Sequence, residues 1–180
     1  MNDDPKRDLE VVPTKQPKQQ HVRVGVGVVV QDPLRPSAVF CGIRKGSHGA
    51  GSLALPGGHL EMMETWEACA RREVQEEMGV DLDPAQMKYG HVTNDIMADE
   101  QKHYVTLYIL GRIRTGTNTV PHNMEPHKCE GWKSYTWQEL RAMLDDTESP
   151  KLFGPLKHLI EDNPPIVQEY LSKTTAPPTK

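Results

Sequence analysis

The sequence predicts an α/β (α+β) sandwich with a mixed β-sheet, and three observations carry that reading. Runs with the two-residue period of strands lie on both sides of one long stretch with helical period, and turn residues separate them. Residues 21–30 alternate and then become wholly apolar, as a strand does on entering a core. Asp32, Pro33 and Pro36 supply a turn, so that 37–43 return antiparallel to the first strand. A Gly/Ser-rich loop at 46–52 and a short extended piece at 53–56 follow. Helical spacing begins at Glu64 and runs to Met78, where Gly79 supplies a left-handed stop. Strand-like runs recur at 88–94, 104–113 and 132–135, and helical spacing at 137–144 and 156–160. The ends are polar and Pro-rich, which predicts flexible tails at 1–21 and 163–180 around one domain at 22–162.

Composition narrows the function classes. The chain has 180 residues, and its 21 basic and 25 acidic side chains leave a net charge of −4. That balance lacks the basic stripe of a nucleic-acid binder, so no nucleic-acid polymer is expected as partner. No apolar run reaches the roughly 18 residues a membrane span needs, and charge begins at residue 3, against membrane insertion and secretion. Cys41, Cys69 and Cys129 are odd in number and widely spaced, which predicts reduced thiols in the cytoplasm.

The chemistry concentrates in 57–80. A Gly57-Gly58 loop leads into a helix on which Glu73, Glu76 and Glu77 fall at i, i+3 and i, i+4, pointing from one side. Like charges at that spacing repel, so the pattern calls for a cation, and hard oxygen donors suit Mg²⁺ or Mn²⁺. Trp66, Ala70 and Val74 form the apolar stripe, and Glu73 and Glu77 border it, unlike the carboxylates of an ordinary solvated face. Arg72 can pair with one carboxylate and fix its rotamer.

This segment resembles the box of the Nudix hydrolase superfamily, G-x5-E-x7-R-E-U-x-E-E-x-G-U with U a bulky aliphatic. Gly58, Glu64, Arg72, Glu73, Val74, Glu76, Glu77, Gly79 and Val80 meet all nine specified positions. The resemblance implies a Nudix α/β/α sandwich, the box forming a loop–helix–loop, that uses Mg²⁺ (or Mn²⁺) to hydrolyse a nucleoside diphosphate linked to another group. It implies Gly58, Glu73, Glu76 and Glu77 as metal ligands, with Glu76, Glu77 and Arg72 in the catalytic set and Glu64 in a structural role.

Longer stretches, among them 24–30, 55–61, 103–106 and 123–132, are similar to the MutT-type eukaryotic cytosolic branch. That branch implies a small-molecule nucleotide substrate, hydrolysis of (d)NTPs, including oxidised purines such as 8-oxo-dGTP, to NMP and pyrophosphate, and a homodimer. Three departures stand out: Met62-Met63 where relatives carry Phe-Gly, Ala54 where some carry a polar residue, and Gly154-Pro155 after Phe153 where relatives carry an aromatic.

Outside the box, Glu125 is expected as a further metal ligand, weighed against a solvated loop carboxylate. Arg44, His59, His103, Thr106, Phe153 and Leu156 are the expected substrate contacts, while Trp66 and Trp137 are expected in the core. Two other readings stay open. One is a Nudix hydrolase of an isoprenoid diphosphate or a nucleotide sugar; the other is a non-catalytic nucleotide-binding module.

Overall fold

The valine-rich run that opens the domain forms β1 (Arg23–Asp32), the strand around which the sheet is organised. The computed structural model describes residues 21–46 and 48–173. The expected tail at 1–21 therefore lies outside the described residues except for His21, and 174–180 lie outside them too. After β1 come β2 (Arg35–Arg44), β3 (Leu53–Ala54), β4 (Gly57–His59) and α1 (Trp66–Met78). Then follow β5 (Lys88–Met97), β6 (Lys102–Arg112), β7 (Cys129–Thr136), α2 (Trp137–Ala142), α3 (Gly154–Asp162) and α4 (Pro165–Ser172). Among the described residues no helix is long and apolar enough to cross a membrane.

The sheet is mixed, in the order β3-β2-β1-β6-β5, with β4 added to β1 and β7 to β2. β1 runs parallel to β6, from Arg23↔Tyr104 to Gln31↔Arg112; its other neighbours are antiparallel. β1 and β2 pair only at their turn, Gln31↔Val39 and Asp32↔Arg35, after which β1 takes β4 and β2 takes β3 and β7. That divergence opens the site.

Strand alternation sends side chains to two cores. On one face Val26, Val28, Val30 and Ile109 pack against Cys69, Ala70, Val74 and Met78 of α1. On the other, Val29, Val39, Tyr108 and Leu110 pack against Trp137, Leu140, Leu156, Leu159 and Ile160 of α2 and α3. Cys41 and Cys69 are buried and Cys129 is partly covered; all three are free thiols. Burial raises each, Cys69 to about 12, so none is a ready nucleophile.

The C-terminal boundary needs correction. The expected tail at 163–180 begins instead with α4, whose Val167, Tyr170 and Leu171 are buried in the second core. The two prolines that read as a tail start a helix: Pro165 occupies its first turn, where a missing N–H costs nothing. Leu171→Ala should lower stability by about 2–3 kcal/mol. The fall in Tm, read by thermal melting, would be about 4–12 °C.

Two details of α1 also differ from expectation. The helix begins at Trp66, not Glu64, because Thr65 is its N-cap and accepts the Ala68 N–H at 3.2 Å. Trp66 itself is 44 % exposed and meets Tyr89 at a ring separation of 6.2 Å, so it is a rim residue, whereas Trp137 is buried.

Before the helix, Met63 holds φ +66° in full solvent. A side chain there costs about 1–2 kcal/mol relative to glycine. Met63→Gly should therefore raise Tm by about 2–8 °C with no loss of fold.

Candidate functional site

Where β1 and β2 diverge lies a cavity of about 550 Å³. Its floor is Gly25, Gly27 and Gly42; one wall is the Gly57-Gly58 loop with Glu73, Glu76, Glu77 and Glu125. The far wall carries Arg44, His48, Tyr104, Thr106, Phe153 and Leu156.

The two loop glycines serve different needs. Gly57 has φ +147°, and a Cβ there would overlap the Val26 carbonyl, so only glycine lets the loop lie against β1. That approach aims the Gly57 N–H at Glu77 Oε2, 3.0 Å away. At Gly58 a Cβ would occupy the space of the Glu73 carboxylate.

Glu77 is the most perturbed carboxyl of the wall. Burial lifts its pKa to about 7, and the nearby charges of Glu73 and Glu125 add to the rise. The Gly57 N–H and the Arg44 charge oppose it. Burial also pushes Glu73 up, against the pull of Arg72. The cavity thus holds negative charge that its own cations do not balance.

Arg72 organises the group from behind and does not line the cavity. Its Nε and Nη2 grip both oxygens of Glu64 at 2.8 and 2.9 Å, and Nη2 also donates to the His59 carbonyl at 3.2 Å. Nη1 reaches Glu73 at 2.7 Å and Glu76 at 3.4 Å. Glu64, held down to about 2 by Arg72, accepts the Glu61 N–H at 3.1 Å and so ties the loop to the helix.

Glu125 arrives on the chain before β7, which is stitched to the end of α1. Met124 N–H and Trp132 Nε1 both donate to the Glu77 carbonyl, at 3.2 and 3.1 Å, and His122 N–H donates to Met78 at 2.9 Å. Lys128 Nζ pairs with Glu125 at 2.8 Å.

Among the described residues no three His, Cys, Asp or Glu side chains form a ready-made metal cage. The reason is visible, since Glu73 and Glu76 both turn onto Arg72. The donor chemistry nevertheless fits a hard divalent cation: four carboxylates share one wall, and burial, with the charges of Glu73 and Glu125 beside it, lifts the best buried of them to about 7.

Of the expected substrate contacts, Arg44, His59, Thr106, Phe153 and Leu156 line this cavity. His103 does not, and this is a correction. It lies three residues from Thr106 on β6, so alternation turns it to the opposite face, where it bonds Asn94 at 2.6 Å. Arg44 packs its guanidinium over the Phe153 ring at 4.4 Å.

Tyr104, His48 and Lys128 were not expected and line the cavity. Tyr104 bonds His59 and Arg23, each at 3.1 Å, and shares strand parity with Thr106, a signal available in the sequence. His48 sits in the Gly/Ser loop, edge-on to Phe153 at 5.1 Å, where no periodicity could place it.

A family model, the NUDIX domain, matches residues 21–156. A curated mouse protein named oxidized purine nucleoside triphosphate hydrolase is 31 % identical over 93 residues, covering 52 % of this chain and 58 % of that protein. The match thus spans less than two thirds of that relative's length. A MutT NUDIX hydrolase structure from Burkholderia pseudomallei superposes with TM-score 0.61 at 24 % identity, covering 87 % of this chain and 100 % of the other. A MutT/nudix family structure from Enterococcus faecalis gives TM-score 0.63 at 19 % identity over 88 % and 71 % of the two chains. These two likenesses concern the fold.

Proposed function

The chain belongs to the NUDIX domain family, and on that premise we propose that it hydrolyses nucleoside triphosphates, oxidised purine nucleotides among them, to the monophosphate and pyrophosphate. Mg²⁺ is the proposed cofactor, with Mn²⁺ as substitute. The observation that carries the reading is the wall of Glu73, Glu76, Glu77 and Glu125 facing Arg44 across one cavity, with the Glu77 pKa near neutrality. Those four carboxylates, with the Gly58 carbonyl, would hold the ion.

When bound, a divalent cation supplies neutralisation of the phosphates and polarisation of the phosphoryl oxygens. Of Glu76 and Glu77, whichever keeps its carboxylate free of the ion is the proposed base for the attacking water. Arg44 offers a fixed positive charge to the phosphate chain. Arg72 positions Glu73 and Glu76 without touching the cavity, so it is a positioning residue. Phe153, Tyr104 and Leu156 offer a flat, largely apolar seat to a base, in keeping with the name of the mouse relative.

Two further parts of the proposal rest on separate observations. Tyr89, Val92 and Ile96 share one exposed face of β5 beside Trp66, an apolar strip that supports a homodimer. Three free cysteines among the described residues support a cytoplasmic location.

The test is turnover with Mg²⁺ on dGTP, 8-oxo-dGTP, dCTP, ADP-ribose and geranyl diphosphate, reading pyrophosphate and phosphate separately. Pyrophosphate from a triphosphate, abolished by chelation and restored by Mg²⁺, is the expected result. Activity on ADP-ribose or geranyl diphosphate alone would move the substrate class, and silence on all five would favour a binding module.

A further inference from the structure

Beneath the far wall lies a carboxylate that the proposed chemistry does not use. Asp95, on β5, has no exposed surface, and both its oxygens are engaged. Oδ1 faces His158 Nδ1 of α3 at 2.7 Å. Oδ2 accepts the hydroxyl protons of Thr93 at 2.9 Å and Thr106 at 2.5 Å. Because Thr106 donates to Asp95 Oδ2, its single hydroxyl hydrogen is committed inward.

Thr106 also lines the cavity, next to Gly25, its partner across β1 and β6. A Cβ on Gly25 would stand 3.6 Å from Thr106 Oγ1, so no side chain of Gly25 stands between that oxygen and the cavity. With its proton held by Asp95, Oγ1 presents lone pairs alone.

We propose that Thr106 is a specificity-determining acceptor, polarised by Asp95, which selects a purine base by one of its N–H groups. The identity of the occupant rests on the proposed nucleotide substrate; the acceptor polarity rests on the hydrogen bonds alone. Asp95, seated by His158 and Thr93, is a positioning residue. A base whose matching edge bears no N–H leaves the Thr106 oxygen desolvated and unpaired, which is how a polar contact discriminates more strongly than an apolar one.

The test is calorimetric binding of monophosphate pairs that differ by one N–H: GMP with IMP, GMP with 1-methyl-GMP, and AMP with purine riboside monophosphate. The wild type should prefer the N–H-bearing member of at least one pair by about tenfold. Thr106→Val should bring that ratio close to one, and Thr106→Ser should keep it. Asp95→Asn turns a donor toward Thr106, frees its hydroxyl hydrogen and should also lower the ratio, by strengthening binding of the N–H-less member. A merely structural role predicts that both members weaken together in Thr106→Val, and that result would overturn the proposal. So would equal binding within every pair by the wild type, or ratios unchanged in Thr106→Val. Pyrophosphate release from the matching triphosphates by the wild type, measured alongside, tests the proposed function separately. Its absence with the base ratios intact sinks the hydrolase reading alone, whereas turnover with unaltered ratios in Thr106→Val sinks the Thr106 assignment alone.

Discussion

Glu77→Gln should nearly abolish hydrolysis while making the metal-free protein more stable at pH 8, a combination few other substitutions would give. Removing one carboxylate from the wall costs several kcal/mol of charge stabilisation in the transition state, on the order of 10³-fold in kcat. Stability moves the other way. The Glu77 pKa rises from 4.5 to about 7 on folding, so the folded state binds its proton more tightly than the unfolded chain does. That contribution is complete below the unfolded value of 4.5 and is lost as pH rises through about 7. Without metal, the wild type therefore loses up to about 3 kcal/mol from this group between acid and pH 8. Glutamine carries no charge to desolvate, and its amide oxygen can still accept the Gly57 N–H. Thermal melting in chelator should show the variant above the wild type at pH 8, with the gap closing toward pH 5. Retained activity with Mg²⁺ would remove Glu77 from the proposed site.

Arg72→Ala should be the next most damaging change. It strips both oxygens of Glu64 of their partner, releases Glu73 and Glu76, and cuts the link to the His59 carbonyl. Misplacing ligating groups by about 1 Å costs about 100-fold in rate. The loop–helix junction should weaken as well, because Glu64 is then left partly covered without its counter-charge. Arg72→Lys should recover little, since an ammonium cannot span Glu64 in a fork and reach Glu73 together. A positioning role predicts a fall in kcat with KM for the triphosphate within a few-fold of wild type. A rise in KM alone would mean that Arg72 meets the substrate instead.

Much of this fold is legible in the residues because its signals are local. Alternation in β1, β2 and β6, the helical spacing of α1 and the Gly79 stop all report on neighbours a few positions away. The carboxylate wall is equally legible, since one helix and its preceding loop carry most of it. What escaped reading depended on long range or on ambiguous punctuation. Pro164-Pro165 ends one helix and starts another, and only the burial of Val167, Tyr170 and Leu171 distinguishes that from a tail. His103 and Thr106 cannot both face the cavity from one strand, and the parity argument that excludes His103 also selects Tyr104. The Asp95–His158 contact joins residues 63 apart, and nothing in either segment announces it. Trp66 continues the helical stripe of Ala70 and Val74 on paper, but it sits where the core ends and the rim begins.

The central claim is that the Glu73, Glu76 and Glu77 wall holds a divalent cation, and a metal titration against pH tests it most directly. Mg²⁺ or Mn²⁺ should bind the free protein with an affinity that rises about tenfold per pH unit below about 7 and levels above it, as Glu77 must lose its proton to ligate. Calorimetry in buffers of different ionisation enthalpy should show close to one proton released per ion at pH 5.5 and almost none at pH 9. In Glu77→Gln the affinity should fall and the proton release vanish. An affinity flat from pH 5.5 to 9, unaltered by Glu77→Gln, would contradict the account.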